Sequence, residues 1–97
     1  MRIDLSTRDV RVNGDRVQLS QKEFQLLARL AREPRRVFTK AELLHDVWNY
    51  RAAARTRTLD SHASRLRRKL REAGARAPLV ENVWGVGYRL LGEEPHA

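Results

Sequence analysis

The chain has 97 residues, enough for one domain (residues 1–97) and too few for two hydrophobic cores. Hydrophobic residues make up 41% of the chain, which excludes a disordered tail, and the lack of cysteine excludes disulfides. No apolar run has the length of a membrane span or the pattern of a signal peptide. These features fit a soluble cytoplasmic protein. The 20 Lys and Arg against 12 Asp and Glu give a net charge of +8, which favours a polyanionic partner, although basic residues can also serve solubility alone.

Residues 1–19 are predicted to form N-terminal strands. Hydrophobic and polar residues alternate on both sides of Asn13-Gly14, a dipeptide typical of a tight hairpin because it accepts positive φ at both central positions. Asp15 leaves the loop length open, and Ile3 and Leu5 could add an edge strand before this hairpin.

Two helix starts then carry the same sequence device. Residues 20–23 and 39–42 each form a capping box, in which a hydroxyl residue and a glutamate three positions later satisfy each other's backbone N–H groups. Hydrophobic residues follow each box at helical spacing, so we predict helices over residues 20–33 and 39–48. Pro34 ends the first of them.

A third helix and a hairpin complete the predicted fold. The helix spans residues 56–73 and stops at Gly74. Two strand-like runs follow within residues 79–91, and the glycine-bearing tip between them, residues 84–87, predicts a β-hairpin. We see no internal repeat and no low-complexity segment.

The third helix concentrates the charge of the chain. Between Arg51 and Arg76 there are nine basic residues and two acidic ones. At about 100° per residue the helix has two opposite faces. Its core stripe consists of Leu59, Ala63, Leu66 and Leu70; its other face consists of Arg57, Ser61, Ser64, Arg65, Arg68 and Glu72. Small serines let a helix approach base edges, and arginine can reach O6 and N7 of guanine, so this pattern favours a major-groove helix over a merely solvated face.

Other classes of function find less support. The three histidines lack metal-ligand spacing, no third group completes a Ser–His triad, and the glycines of the hairpin do not precede a helix as in a phosphate loop. We therefore expect no enzyme activity, no metal and no cofactor. The remaining alternative is a domain of this fold that binds another protein. The concentration of positive charge between Arg51 and Arg76 disfavours it.

These motifs together resemble the OmpR/PhoB-type effector domain of response regulators. Residues 19–27 read L-S-Q-K-E-F-Q-L-L, similar to the family's L-T-x-x-E-F-x-L-L opening. Residues 57–70 are similar to its recognition helix, and residues 85–90, G-V-G-Y-R-L, match its wing. The resemblance covers nearly the whole chain and implies an α+β winged helix-turn-helix: an N-terminal antiparallel sheet, three helices and a C-terminal β-hairpin wing. It implies sequence-specific binding of double-stranded DNA as the output domain of a bacterial transcription regulator.

The resemblance also implies roles for individual positions. The base-facing positions are Asp60, Ser61, Ser64, Arg65 and Arg68. Those that hold the DNA backbone or pack beside it are Trp48, Arg57, Thr58, His62, Arg67 and Tyr88, to which the basic shoulders of the third helix add Lys69 and Arg71. The wing contributes Trp84, Gly85, Gly87, Tyr88 and Arg89.

The chain departs from the family's usual pattern at two positions. Trp84 stands where the wing usually has a basic residue, and its ring either enters the minor groove or folds back into the core. Ser61 stands where a β-branched residue is frequent, which removes a contact to the thymine methyl group. The resemblance further implies a receiver domain in the full-length protein, tandem binding to direct repeats, and contact with RNA polymerase through the loop Asn49–Arg55.

Overall fold

A computed structural model describes residues 1–49, 56–75 and 79–91 of the chain. Within these residues there are six strands and three helices, in an order that matches the predicted α+β fold. The strands are β1 (Arg2–Asp4), β2 (Asp9–Val12), β3 (Asp15–Arg16), β4 (Phe38–Thr39), β5 (Val80–Val83) and β6 (Gly87–Leu90); the helices are α1 (Gln21–Ala31), α2 (Lys40–Trp48) and α3 (Thr56–Glu72). The predicted loop Asn49–Arg55 lies outside the described residues, apart from Asn49.

The N-terminal strands form an antiparallel sheet in the order β1-β2-β3. Val12 pairs with Asp15, so the hairpin loop that the sequence left open contains two residues. Asn13 and Gly14 both have positive φ, 53° and 86°, as a type I′ turn requires. Leu5, offered as part of an edge strand, lies just beyond the end of β1 and is exposed.

Both predicted capping boxes are present. The Ser20 hydroxyl accepts a hydrogen bond from the Glu23 backbone N–H at the start of α1, and the Glu23 carboxylate accepts one from the Ser20 N–H. Thr39 and Glu42 repeat this reciprocal arrangement at α2. Helix α1 ends at Ala31, two residues before the predicted end, because the chain tightens into an i to i+3 hydrogen bond there, ahead of Pro34.

Strand β4, which lies between the first two helices, was not predicted from the sequence. Phe38 pairs with Tyr88, so the wing is a three-stranded sheet in the order β4-β6-β5 rather than a bare hairpin. Gly87, placed in the hairpin tip by the sequence pattern, lies in β6 against β4. A Cβ atom at Gly87 would lie 1.7 Å from the Phe38 carbonyl oxygen, so only glycine permits this close pairing.

Helix α3 packs its apolar stripe into the core as predicted. Leu59, Ala63 and Leu66 have no exposed surface, and Leu70 is 1% exposed. Burying a leucine side chain contributes about 2 kcal/mol, so these contacts fix the rotation of α3 about its axis. The opposite face of the helix is thereby turned towards solvent.

Candidate nucleic-acid interface

The outward face of α3 presents the side chains that the sequence assigned to DNA. Ser64, Arg65 and Arg68 are exposed, and Ser61 is partly exposed. Arg57 is exposed near the start of the helix. None of these residues is buried in the core, so each is available to a partner that docks along α3.

A concave groove lies between α3 and the wing sheet. Its lining from α3 is Thr56, Arg57, Asp60, Ser61, Ser64, Arg65 and Arg67; the wing sheet adds Asn82, Trp84 and Tyr88, and α2 adds Lys40. The structure therefore gathers four of the five predicted base-facing residues into one groove, and Arg68 lies outside it. The wing flanks the face of the helix that carries serines and arginines.

Asp60 joins three elements at the floor of this groove. The Tyr88 hydroxyl donates a 2.7 Å hydrogen bond to its Oδ1 atom, and Lys40 Nζ lies 3.2 Å from the same atom. Tyr88 is 3% exposed, and burial together with the hydrogen bond to Asp60 raises the pKa of its hydroxyl far above the usual range. Tyr88 therefore fastens the wing to α3 from within, and its buried ring offers little surface to a partner.

Trp84 extends from the wing tip into solvent. Its side chain is 87% exposed, so the alternative in which its ring folds back into the core is wrong. Gly85 follows it with φ of 79°, which glycine adopts without strain and which turns the chain at the tip. The ring is therefore available to a partner at the tip of the wing.

Trp48 and His62 meet at another edge of α3. Their rings pack edge to face, with centroids 5.2 Å apart. The Nδ1–H of His62 donates to the Thr58 carbonyl oxygen at 2.8 Å, because a carbonyl can only accept. These three predicted backbone contacts thus form a second cluster beside α3, and they do not line the groove.

Three of the predicted cations have carboxylate partners inside the protein. Lys69 Nζ lies 2.7 Å from Oε1 of Glu23, Arg65 Nε lies 3.4 Å from Oε2 of the same carboxylate, and Arg89 pairs with Glu81 across β5 and β6. Each of these cations is therefore next to an acidic side chain of the protein itself. In the part of the chain that is described, no ion pair engages the remaining arginines of α3, namely Arg57, Arg67, Arg68 and Arg71.

Sequence reasoning missed Lys40, Asn82 and Thr56 as groove residues, and it missed a second role of Glu23. Lys40 reaches the groove because α2 packs on α3, and Asn82 reaches it because β5 pairs with β6. No local pattern signals either contact. Glu23 was identified as a capping residue only, yet its side chain is 2% exposed and contacts α3.

The pKa of Glu23 is lowered despite its burial. Desolvation by burial acts to raise this pKa, but the hydrogen bonds from Lys69 and the Ser20 N–H, the charge of Lys69 and the nearby Arg65 guanidinium outweigh that effect. Across residues 1–49, 56–75 and 79–91 there is no cluster of side chains suited to a metal ion. None of the helices in these ranges has the length and hydrophobicity of a membrane span.

Comparison with known proteins identifies relatives of the whole domain. Residues 14–90 match the family model described as "Transcriptional regulatory protein, C terminal". The chain is 46% identical over 88 residues to the uncharacterized transcriptional regulatory protein YclJ of Bacillus subtilis, covering 90% of this chain and 38% of that protein. It is 39% identical over 90 residues to the transcriptional regulatory protein SrrA of Staphylococcus aureus, covering 92% and 37%. The chain thus spans less than two fifths of the length of these relatives.

Two solved structures have the same fold at high coverage. The DNA-binding domain of the response regulator AdeR, in complex with an intercistronic region, superposes with a TM-score of 0.79 at 37% identity, covering 92% of this chain and 90% of that one. The DNA-binding domain of Klebsiella pneumoniae RstA, in complex with the RstA box, gives a TM-score of 0.79 at 30% identity, covering 91% and 87%.

Proposed function

The chain belongs to the family of C-terminal domains of transcriptional regulatory proteins, and we therefore propose that it binds double-stranded DNA sequence-specifically. It serves as the output domain of a response regulator, as the solved relatives bound to an intercistronic region and to the RstA box suggest. Helix α3 enters the major groove, and the tip of the wing reaches the neighbouring minor groove.

One observation carries this proposal: the groove between α3 and the wing. Its α3 wall combines small hydroxyl side chains with the exposed guanidinium of Arg65, and its wing wall ends in Trp84. A helix that approaches base edges needs small residues at its centre, such as Ser61 and Ser64. Charged residues beside them are needed to hold the phosphates of both strands.

The residues divide into two roles. Ser61, Ser64, Arg65 and Arg68 read base edges, and Arg65, which lines the groove, binds a guanine through two hydrogen bonds. The phosphate contacts come from Arg57, Arg67 and Arg71. Thr58 and the Trp48–His62 pair lie beside the DNA backbone. Asp60 lies in the groove but already accepts hydrogen bonds from Tyr88 and Lys40, so it contributes mainly by orienting the wing.

Further partners follow from the family. We propose that a receiver domain accompanies this domain in the full-length protein and that two copies bind direct repeats in tandem. We propose in addition that residues 49–55 contact RNA polymerase and that the protein is located in the cytoplasm. The domain acts by binding and not by catalysis, in keeping with a family of transcription factors.

Selection of bound duplexes from a random pool at about 0.15 M salt tests the proposal. We expect enrichment of one motif, or of two copies of it at a fixed spacing. Arg16→Ala on β3 serves as a control that removes a cation from the N-terminal sheet. Binding to a protein with no enrichment of any DNA sequence would instead establish the protein-interaction alternative.

A further inference from the structure

We propose that Glu23 is a positioning residue for sequence reading, which withholds Lys69 from the DNA backbone and anchors Arg65 in the groove. This inference rests on the proposed DNA binding and assigns a role to a buried acid outside the groove. The starting point is its burial: Glu23 lies in the first turn of α1, and its side chain is 2% exposed where α1 contacts α3.

The contacts of Glu23 divide between its two oxygen atoms. Oε1 accepts the Ser20 backbone N–H at 2.9 Å and the Lys69 ammonium at 2.7 Å. Oε2 lies 3.4 Å from Nε of Arg65. Arg65 and Lys69 are one helical turn apart on α3, so a single carboxylate from α1 holds two neighbouring cations of the recognition helix.

The contact leaves the useful end of Arg65 available. A guanidinium has five N–H donors, and Glu23 engages Nε, which carries one of them. The two terminal amino groups form the fork that matches O6 and N7 of guanine. Because Arg65 also lines the groove, anchoring at Nε restricts the guanidinium before DNA arrives and reduces the entropy lost on binding.

The same carboxylate limits binding to any sequence. Phosphate contacts by Lys and Arg supply essentially all non-specific affinity through counterion release. Lys69 is hydrogen-bonded to a buried anion at 2.7 Å, and a phosphate would have to displace that partner and leave a buried charge behind. Glu23 therefore lowers the affinity for non-specific DNA while supporting the arginine that reads bases.

The substitution Glu23→Gln separates these effects. Glutamine keeps an oxygen acceptor for the Ser20 N–H in the capping box but has no charge. On a non-specific duplex we expect tighter binding, on the order of fivefold at about 0.15 M salt, with a log–log salt slope steeper by about 0.9 for one added phosphate contact. On the selected site we expect no such gain, so the ratio of specific to non-specific affinity falls about fivefold or more.

Glu42→Gln is the matched control. Glu42 occupies the same capping-box position in α2 and carries the same charge, but it pairs with Arg36 instead of α3. We expect this variant to keep both the salt slope and the specificity ratio of the wild type. An equal change in the two variants would overturn the proposal, because it would reflect net charge alone.

Two other results would also overturn the proposal. One is an equal loss of affinity of Glu23→Gln for the selected site and for the non-specific duplex, which would indicate a purely structural role. The other is an unchanged salt slope in a Glu23→Gln variant that is folded. If circular dichroism shows that Glu23→Gln does not fold, Lys69→Gln provides the test. We expect it to retain the wild-type slope, and a slope shallower by about 0.9 would refute the withholding of Lys69. Failure of the wild type to bind DNA would instead remove the proposed function itself.

Discussion

Replacing Arg65 by alanine is the sharpest test of how α3 reads DNA. The Arg65 side chain is 45% exposed, so its loss should change the free energy of unfolding by less than about 1 kcal/mol. Glu23 keeps its hydrogen bonds from Lys69 and Ser20 in this variant. A change in binding therefore reports the interface and not the fold.

The magnitude follows from the contact that Arg65 is positioned to make. A bidentate arginine–guanine contact gives about 1–3 kcal/mol of discrimination, which corresponds to about 5- to 150-fold in Kd. We expect Arg65→Ala to lose that factor on the selected site and to bind a scrambled duplex much as the wild type does. The assay is fluorescence anisotropy with both duplexes at one fixed salt concentration.

Arg65→Lys separates the geometry of the side chain from its charge. Lysine keeps the positive charge but lacks the planar fork, so we expect a loss of discrimination similar to that of alanine. Thermal denaturation of both variants controls for folding. An equal loss of affinity on the selected and scrambled duplexes would refute base reading by Arg65 and make it a phosphate contact.

Three further outcomes are expected from other parts of the structure. Arg67→Ala removes an α3 cation that lines the groove, so a plot of the logarithm of the binding constant against the logarithm of the salt concentration should have a slope shallower by about 0.9. The control Arg16→Ala should leave this slope unchanged. An unaltered slope for Arg67→Ala would contradict a phosphate contact by Arg67. Gly87→Ala places a Cβ against the Phe38 carbonyl and should destabilise the domain in urea by about 3 kcal/mol or more, and a loss below about 1 kcal/mol would mean that β4 and β6 separate easily. Because the pKa of Glu23 is lower in the folded protein than its usual value of 4.5, ionised Glu23 stabilises the fold above pH 4.5, and this stability is lost as the pH falls through the lower pKa of the folded state. Between about pH 5 and pH 3 the wild type should therefore lose more stability than Glu23→Gln. Parallel stability curves would argue against the ion pairs of Glu23.

Much of the candidate site was visible in the sequence because α3 is a regular helix. The spacing of its leucines assigns every other side chain to a face, and the observed exposure of Ser64, Arg65 and Arg68 agrees with that assignment. The partners of those side chains were not visible. Lys69 was predicted to face the DNA backbone, but its contact with Glu23 joins residues 46 positions apart, which no local pattern reveals.

Some features of this protein depend on only a few consecutive residues. Capping boxes, the Asn13-Gly14 turn and helical periodicity are set by short-range sterics and hydrogen bonding, so they can be recognised along the chain. The way in which the elements meet could be seen only once the chain was folded: two-residue β4 joins the wing, Tyr88 is buried against Asp60, and Trp84 remains exposed. These outcomes depend on packing between distant segments, where burial and close backbone approach outweigh the weak preferences of each residue alone.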